Sequence, residues 1–250
     1  MNSLKAIILC AGYGNRMKPF TDKNQKVMLP LHGKPLLEYI IEGLKFAGFK
    51  DFILVVGYLK EQIINYFNDG RKWGIHIEYK NQDHLNGTGG AVLLCEELIK
   101  KKHFFLTWGD ILVSYKIYKK VYDTFKIEKE DFILVANNMD DLQKGCAIYY
   151  ENKYCTKMIE KPPENTVDTS LNNCGIFILS IEIFNILRNT NASERGEIEL
   201  TEALNKIIKS KKWPIRVLKM KKRQFRGDFG NINIYQTLAK DKKWIIKLIQ

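Results

Sequence analysis

Residues Lys5–Pro35 read KAIILCAGYGNRMKPFTDKNQKVMLPLHGKP, an apolar run that stops at glycines and gives way to a basic loop. Ala6-Ile7-Ile8-Leu9 has the length and continuous apolarity of a short buried strand. Gly12-Tyr13-Gly14 reads as a turn whose missing side chains let backbone N–H groups approach a triphosphate as an anion nest. Arg16 and Lys26 bring two cations to the same loop. There, charge-assisted contacts to phosphate oxygens neutralise the charge that builds up during phosphoryl or nucleotidyl transfer. A polyphosphate substrate is the natural reading.

Other uses of such a loop fit less well. A dinucleotide-binding turn wants a third small residue where Met17 stands, and an acidic residue closing a second strand about 20 residues on. Glu38 lies inside a helical pattern instead. A Walker loop ends in Gly-Lys-Ser/Thr, and none follows Gly12 at that spacing. A structural glycine turn with solvated cations is the plainest alternative.

Length and composition frame these readings. A chain of 250 residues fits one large α/β domain spanning 1–250 with a sizeable core. Hydrophobic content of 45% with 27% charged residues is ordinary for a soluble protein. No apolar run approaches the ~20 residues that cross a bilayer, so no membrane partner is expected. The amino terminus enters a strand too soon for a secretory signal, which implies a cytoplasmic protein. The five cysteines (10, 95, 146, 155 and 174) are scattered singly and read as small core residues rather than a disulfide or zinc framework. A net charge of +12 invites a nucleic-acid hypothesis. The excess is dispersed, however, and its densest part, Lys206–Arg223, interleaves cations with apolar residues as a solvated face does. No nucleic-acid partner is expected; a homo-oligomer is left open.

Along the chain, LLEYIIEGLKFAGFK has helical spacing and stops near Gly48, and FILVVGY is a buried strand. Helices are expected over 60–67, 89–100, 197–208, from 181 and from 231. Strands are expected at 75–79, 104–106, 132–137, 174–179 and 215–220, with a hairpin of 146–150 and 156–160 around Asn152-Lys153. This rhythm predicts an α/β fold with a doubly wound, mainly parallel mixed sheet. Such sheets bind ligands beyond the carboxyl ends of their strands, so site residues should fall just after strands.

Three further stretches carry chemistry. Asn81–Ala91 (NQDHLNGTGGA) joins a strand to a helix, where free backbone amides suit a ligand, although Thr88 also reads as a helix cap. Trp108-Gly109-Asp110 puts a carboxylate at a strand end, and Arg226-Gly227-Asp228-Phe229-Gly230 supplies a second between glycines. A pair of carboxylates of this kind can hold Mg2+. Glu160-Lys161-Pro162 offers an acceptor, a cation and a stiffening proline, a combination suited to a sugar phosphate.

In this order, AGYGNRMKPFT, QKVMLPLHGKP, the Q-x4-G-T loop, WGD, EKP, NCGIF and RGDFG resemble the signature of the sugar-1-phosphate nucleotidylyltransferases, from residue 5 to about residue 240. The resemblance implies a Rossmann-like nucleotidyltransferase fold. It implies nucleotide binding by Ala11, Gly12, Gly14, Gln82, Gly87 and Thr88, with Gln82 reading the base edge and Arg16 and Lys26 as catalytic cations. It also implies sugar-phosphate binding by Gly145, Glu160, Lys161 and Asn173, and Mg2+ on Asp110 and Asp228. Gln25 departs from the proline most common before that lysine, which bears on the loop's rigidity more than on its chemistry. Gly196-Glu197-Ile198-Glu199-Leu200-Thr201 is similar to the family's G-E-x-x-L-T helix start. The segment after Tyr235 is too short for the left-handed β-helix many relatives append, so acetyl transfer is not expected. UTP with glucose 1-phosphate is the favoured pair. GTP with mannose or heptose 1-phosphate and dTTP are the alternatives. Choline-phosphate cytidylyl transfer, a dinucleotide-dependent oxidoreductase and a basic nucleic-acid-binding module are more distant ones.

Overall fold

The computed structural model describes residues 4–249. In chain order it runs β1 (Ala6–Leu9), β2 (Pro30–Leu31), β3 (Lys34–Pro35), α1 (Leu36–Ala47), β4 (Asp51–Val56), α2 (Lys60–Phe67), β5 (His76–Asn81) and α3 (Gly87–Leu93). Next come β6 (His103–Trp108), β7 (Ile111–Val113), α4 (Tyr115–Glu128), β8 (Phe132–Asn138), β9 (Cys146–Glu151), β10 (Tyr154–Glu160) and β11 (Leu171–Ser180). The chain closes through α5 (Glu182–Arg188), α6 (Leu200–Ser210), β12 (Ile215–Lys219), β13 (Arg226–Asp228), α7 (Ile232–Lys240) and α8 (Lys243–Ile249). These elements form two compact units. One comprises Met1–Leu85, Thr107–Tyr122 and Gln224–Gln250, the other Asn86–Leu106 and Asp123–Arg223.

In the first unit β1 and β5 both pair with β4 in parallel, Ile7 opposite Ile53 and Ile53 opposite Glu78. The apolar side chains of β1 and β4 are almost wholly buried, as expected of strands covered on both faces. Helix α1 begins after Pro35, whose extended backbone precedes the first turn, and ends on Gly48 at φ 103°, a left-handed position that glycine takes without strain. A separate ribbon pairs β7 with β13 antiparallel, setting Asp228 opposite Ile111.

The second unit is a mixed sheet in the order β11-β8-β12-β10-β9, with His103–Leu106 of β6 beside β11. β12 runs parallel to β8, while β11–β8, β12–β10 and β10–β9 are antiparallel. The hairpin turns at Asn152 and Lys153, both at positive φ as a tight two-residue connection requires.

Several expectations are corrected. The helix foreseen over 89–100 starts at Gly87 and stops at Leu93, and a separate 3-10 turn covers Glu96–Leu98. The helix foreseen from Glu197 starts at Leu200, because Glu199 is extended and the backbone of Glu197 and Ile198 is bonded to Ser193 and to the 86–89 loop. Helix α4 was not foreseen. Strand β11 begins at Leu171, so Asn173 lies inside a strand, opposite Ala136 of β8, rather than at a strand end.

Candidate active site

The first unit gathers four of the expected charged residues. Gly14 turns the chain at φ 70°, and a Cβ there would meet Thr21 Cγ2 at 2.9 Å, so glycine is required for the loop to close on Thr21. A Cβ on Gly12 would meet nothing within 4 Å, which leaves open space above that stretch of backbone. The Ala11 carbonyl accepts from the Tyr58 N–H at 3.1 Å. The Gly109 N–H donates to the Leu9 carbonyl at 2.9 Å, and a Cβ on Gly109 would stand 2.8 Å from that oxygen. Only glycine therefore lets the turn carrying Asp110 lie against the end of β1.

Lys26 Nζ donates to Asp110 Oδ2 at 2.5 Å, and both side chains are largely buried. Burial by itself would raise the Asp110 carboxyl, but the Lys26 charge and hydrogen bond, helped by Arg16, hold it below its ordinary value. Asp110 is thus a carboxylate at neutral pH. The Phe229 N–H donates to the Asp110 carbonyl at 2.9 Å, which brings the β13 end to the same place. Asp228 accepts from the Gly230 N–H at 2.9 Å and from Arg226 Nη2 at 3.1 Å. A Cβ on Gly230 would stand 2.9 Å from Arg16 Nη2 and 3.0 Å from Asp228 Oδ1, so Gly230 keeps room for that guanidinium and carboxylate. Arg16, Lys26, Asp110 and Asp228 form one cluster, and Arg226 is a member that its sequence context does not single out.

Two carboxylates leave most of a cation's coordination shell to other oxygens, and no group of three or more metal-ligating side chains occurs among the described residues. That donor set fits Mg2+, which keeps waters and takes phosphate oxygens alongside one or two carboxylates.

Gln82 follows β5, buried, its N–H donating to the Val56 carbonyl at 2.8 Å. It lines a recess of about 230 Å3 with Tyr13, Tyr58, Lys60, Asn81 and Asp83. Tyr13 is 52% exposed and leans on Tyr58 with ring centroids 5.4 Å apart.

In the second unit the Gly87-Thr88 loop is packed on the 197–200 segment. A Cβ on Gly87 would meet the Ile198 carbonyl oxygen at 2.6 Å, and the Thr88 hydroxyl accepts from the Leu200 N–H at 3.2 Å. Thr88 therefore caps α6 rather than its own helix, which corrects the reading of it as a local cap. The next residue, Thr201, donates its hydroxyl to Glu160 Oε2 at 2.9 Å.

Glu160 ends β10 opposite Cys146, and the Lys161 N–H donates to the Gly145 carbonyl at 2.8 Å, so three of the expected sugar-phosphate residues adjoin. A Cβ on Gly145 would stand 2.2 Å from Asn172 Oδ1, whose acceptor is taken by the Cys146 N–H at 2.9 Å. Asn173 is buried, and its Oδ1 accepts from its own strand's Gly175 N–H at 3.0 Å across a bulge. That oxygen has a structural job which the N-x-G spacing alone explains. Glu160 and Lys161 also line a recess of about 690 Å3 with Arg195, Glu199 and Thr201.

Burial, reinforced by Glu199, raises the Glu160 carboxyl, against Thr201, Lys161 and Arg195, which lower it. A carboxyl raised in the folded state costs stability as pH climbs from the ordinary glutamate value of about 4.3 through the folded one. Thr201→Val removes an opposing donor, so Glu160 should titrate higher still in carbon-13 NMR of labelled glutamate. A lower or unchanged titration would remove Thr201 from this account.

All five cysteines are buried, and burial followed by the Asp110 charge pushes the Cys10 thiol far up, which suits core packing and not nucleophilic work. No helix among the described residues is long and apolar enough to cross a membrane.

The model of the family described as nucleotidyl transferase matches residues 5–243. A bifunctional protein GlmU of Methanococcus maripaludis is 39% identical over 211 residues, covering 84% of this chain and 48% of that protein. The low-salt glycan biosynthesis nucleotidyltransferase Agl11 of Haloferax volcanii is 29% identical, over 82% of this chain and 57% of its own. The chain thus spans about half the length of these curated relatives. Among solved structures, a UDP-glucose pyrophosphorylase complexed with UDP-glucose superposes with a TM-score of 0.85 at 26% identity, over 96% of this chain and 98% of the other.

Proposed function

The chain belongs to the nucleotidyl transferase family, and from that premise we propose that it joins a nucleoside triphosphate and a sugar 1-phosphate into a nucleotide sugar with release of pyrophosphate, UTP and glucose 1-phosphate being the preferred pair. The observation that carries this reading is the cluster of Arg16, Lys26, Asp110 and Asp228 beside the glycine loop. Two cations and two carboxylates at a loop with open backbone suit a triphosphate and its metal. The UTP and glucose preference is supported by Gln82, whose amide offers donor and acceptor to a pyrimidine imide. The likeness to a UDP-glucose pyrophosphorylase adds support.

In the proposed reaction an oxygen of the sugar phosphate attacks the α-phosphorus in line. One phosphorus–oxygen bond forms, the bond from the α-phosphorus to the bridging oxygen breaks, and pyrophosphate leaves with the electron pair. Lys26 and Arg16 stabilise the charge spread over the five-coordinate phosphorus and the leaving group. Lys161 holds the phosphate of the nucleophile, and Glu160 accepts hydrogen bonds from sugar hydroxyls. Asp110 and Asp228 would hold Mg2+, and the ion would supply positive charge to neutralise the phosphates.

A pyrophosphate-release matrix tests the pair: UTP, dTTP, GTP, CTP and ATP against glucose, mannose, galactose and N-acetylglucosamine 1-phosphates. UTP with glucose 1-phosphate should give the highest kcat/KM. A preference for GTP or ATP would sink the base assignment and leave the reaction class standing, whereas no release from any pair, with salt-sensitive nucleic-acid binding, would favour a basic binding module.

A further inference from the structure

We propose that Gln25 and Gln62 form a clamp that positions Lys26, with Gln25 acting as a positioning residue; the proposal rests on the reading of Lys26 as a catalytic cation. Gln25 is 1% exposed, unusual for a glutamine in a surface loop, and its polar atoms are all engaged. Its Nε2 donates to the carbonyl of Cys10, the residue that leads into Ala11 and Gly12. Its Oε1 accepts from the Val27 N–H at 2.6 Å, and its own N–H donates to Gln62 Oε1 at 2.7 Å. Gln62, on α2, closes the circuit by donating Nε2 to the Lys23 carbonyl at 2.8 Å. Two amides, each used as donor and acceptor, thereby tie the loop on both sides of Lys26 to the end of β1 and to α2.

The consequence for Lys26 is geometric. A lysine is a point charge on a flexible stem, so its head is placed only as well as its Cα is. The clamp fixes that Cα against Cys10, and the Nζ reaches Asp110, whose own turn is bonded to Leu9. The glycine loop, Lys26 and Asp110 are therefore all referenced to the last residues of β1. Gln25 sits at φ −65° and ψ 134°, angles a proline would also adopt. A proline there would stiffen the loop but lose the N–H given to Gln62 and the amide given to Cys10, so this chain holds the loop by tethering it.

The test measures kcat, KM for the triphosphate and thermal unfolding for Gln25→Ala and Gln62→Ala, each with Lys26 present and in the Lys26→Ala background. Gln25→Ala should lower kcat at least about 10-fold with KM within about threefold, since misplacement of a catalytic group by ~1 Å costs that much or more. In the Lys26→Ala background the same change should lower kcat less than about twofold, because residues acting through one another are not additive. Gln62→Ala, only part-buried, should show a smaller loss with the same non-additivity. A kcat loss equal in both backgrounds, or wild-type turnover in Gln25→Ala, would overturn the proposal. Acylation of the Lys26 amine, followed by mass spectrometry, should be faster in Gln25→Ala; an unchanged rate would also overturn it. That labelling still decides the clamp if the wild-type chain releases no pyrophosphate from any pair, an outcome that defeats the proposed reaction instead.

Discussion

Lys26→Ala is expected to lower turnover by about 10²–10³-fold, the range seen when one preorganised donor to a developing oxyanion is removed, with a much smaller change in KM for the triphosphate. The asymmetry comes from where the charge develops. Gly12, Gly14 and the recess beside Gln82 bind the ground-state nucleotide in the proposed reaction, whereas Lys26 meets charge that appears only as the α-phosphorus becomes five-coordinate. An interaction made only in the transition state is read in kcat. In the resting protein Lys26 is already neutralised by Asp110, so the lysine is held in place before substrate arrives. Initial rates of pyrophosphate release at saturating substrates check this, and wild-type rates with every active pair would take Lys26 out of the reaction.

The parts of this molecule that could be read from the chain are those where one local rule decides. The runs AIIL and FILVV are apolar throughout, and only strands buried on both faces tolerate that, so β1 and β4 were legible. Gly48 ended α1 for a reason visible in one residue. Helix α4 was not legible because its buried residues, Tyr115, Ile117, Tyr118 and Val121, are interleaved with Lys116, Lys119 and Lys120, and half of them are tyrosine and half β-branched. The candidate site divides the same way. Arg16, Lys26, Asp110 and Asp228 announced themselves by type, and the fold gathers them. Arg226 did not, because its value lies in standing two residues before Asp228 on a short strand, where both side chains meet on one face. The capping of α6 by Thr88 joins residues 112 positions apart, a relation no local pattern encodes.

Asp110→Asn should act on both activity and acid stability, and the two effects have different pH signatures. The substitution keeps the shape of the side chain but removes the charge that faces Lys26 and, in the proposed reaction, one of two carboxylates for Mg2+. Activity should fall by about 10²-fold or more, as when a charge-stabilising element of a phosphoryl-transfer site is lost, and the Mg2+ concentration for half-maximal rate should rise. Stability at neutral pH should fall by about 1–3 kcal/mol, below the usual figure for a fully buried pair because both side chains retain some solvent. The folded-state carboxyl is held below its ordinary value by Lys26 and Arg16 against the raising effect of burial. Its stabilisation is therefore complete above the unfolded value of about 3.9 and is lost as pH falls through the lower folded one. The gap in thermal stability between wild type and variant should be constant from neutral pH to about pH 5 and should close as the solution is acidified further. Thermal unfolding from pH 7 down to pH 2 measures that gap. A gap that stayed constant to the acid end would mean that Asp110 contributes by packing and not by its charge, and the ion pair would no longer account for how Lys26 is held.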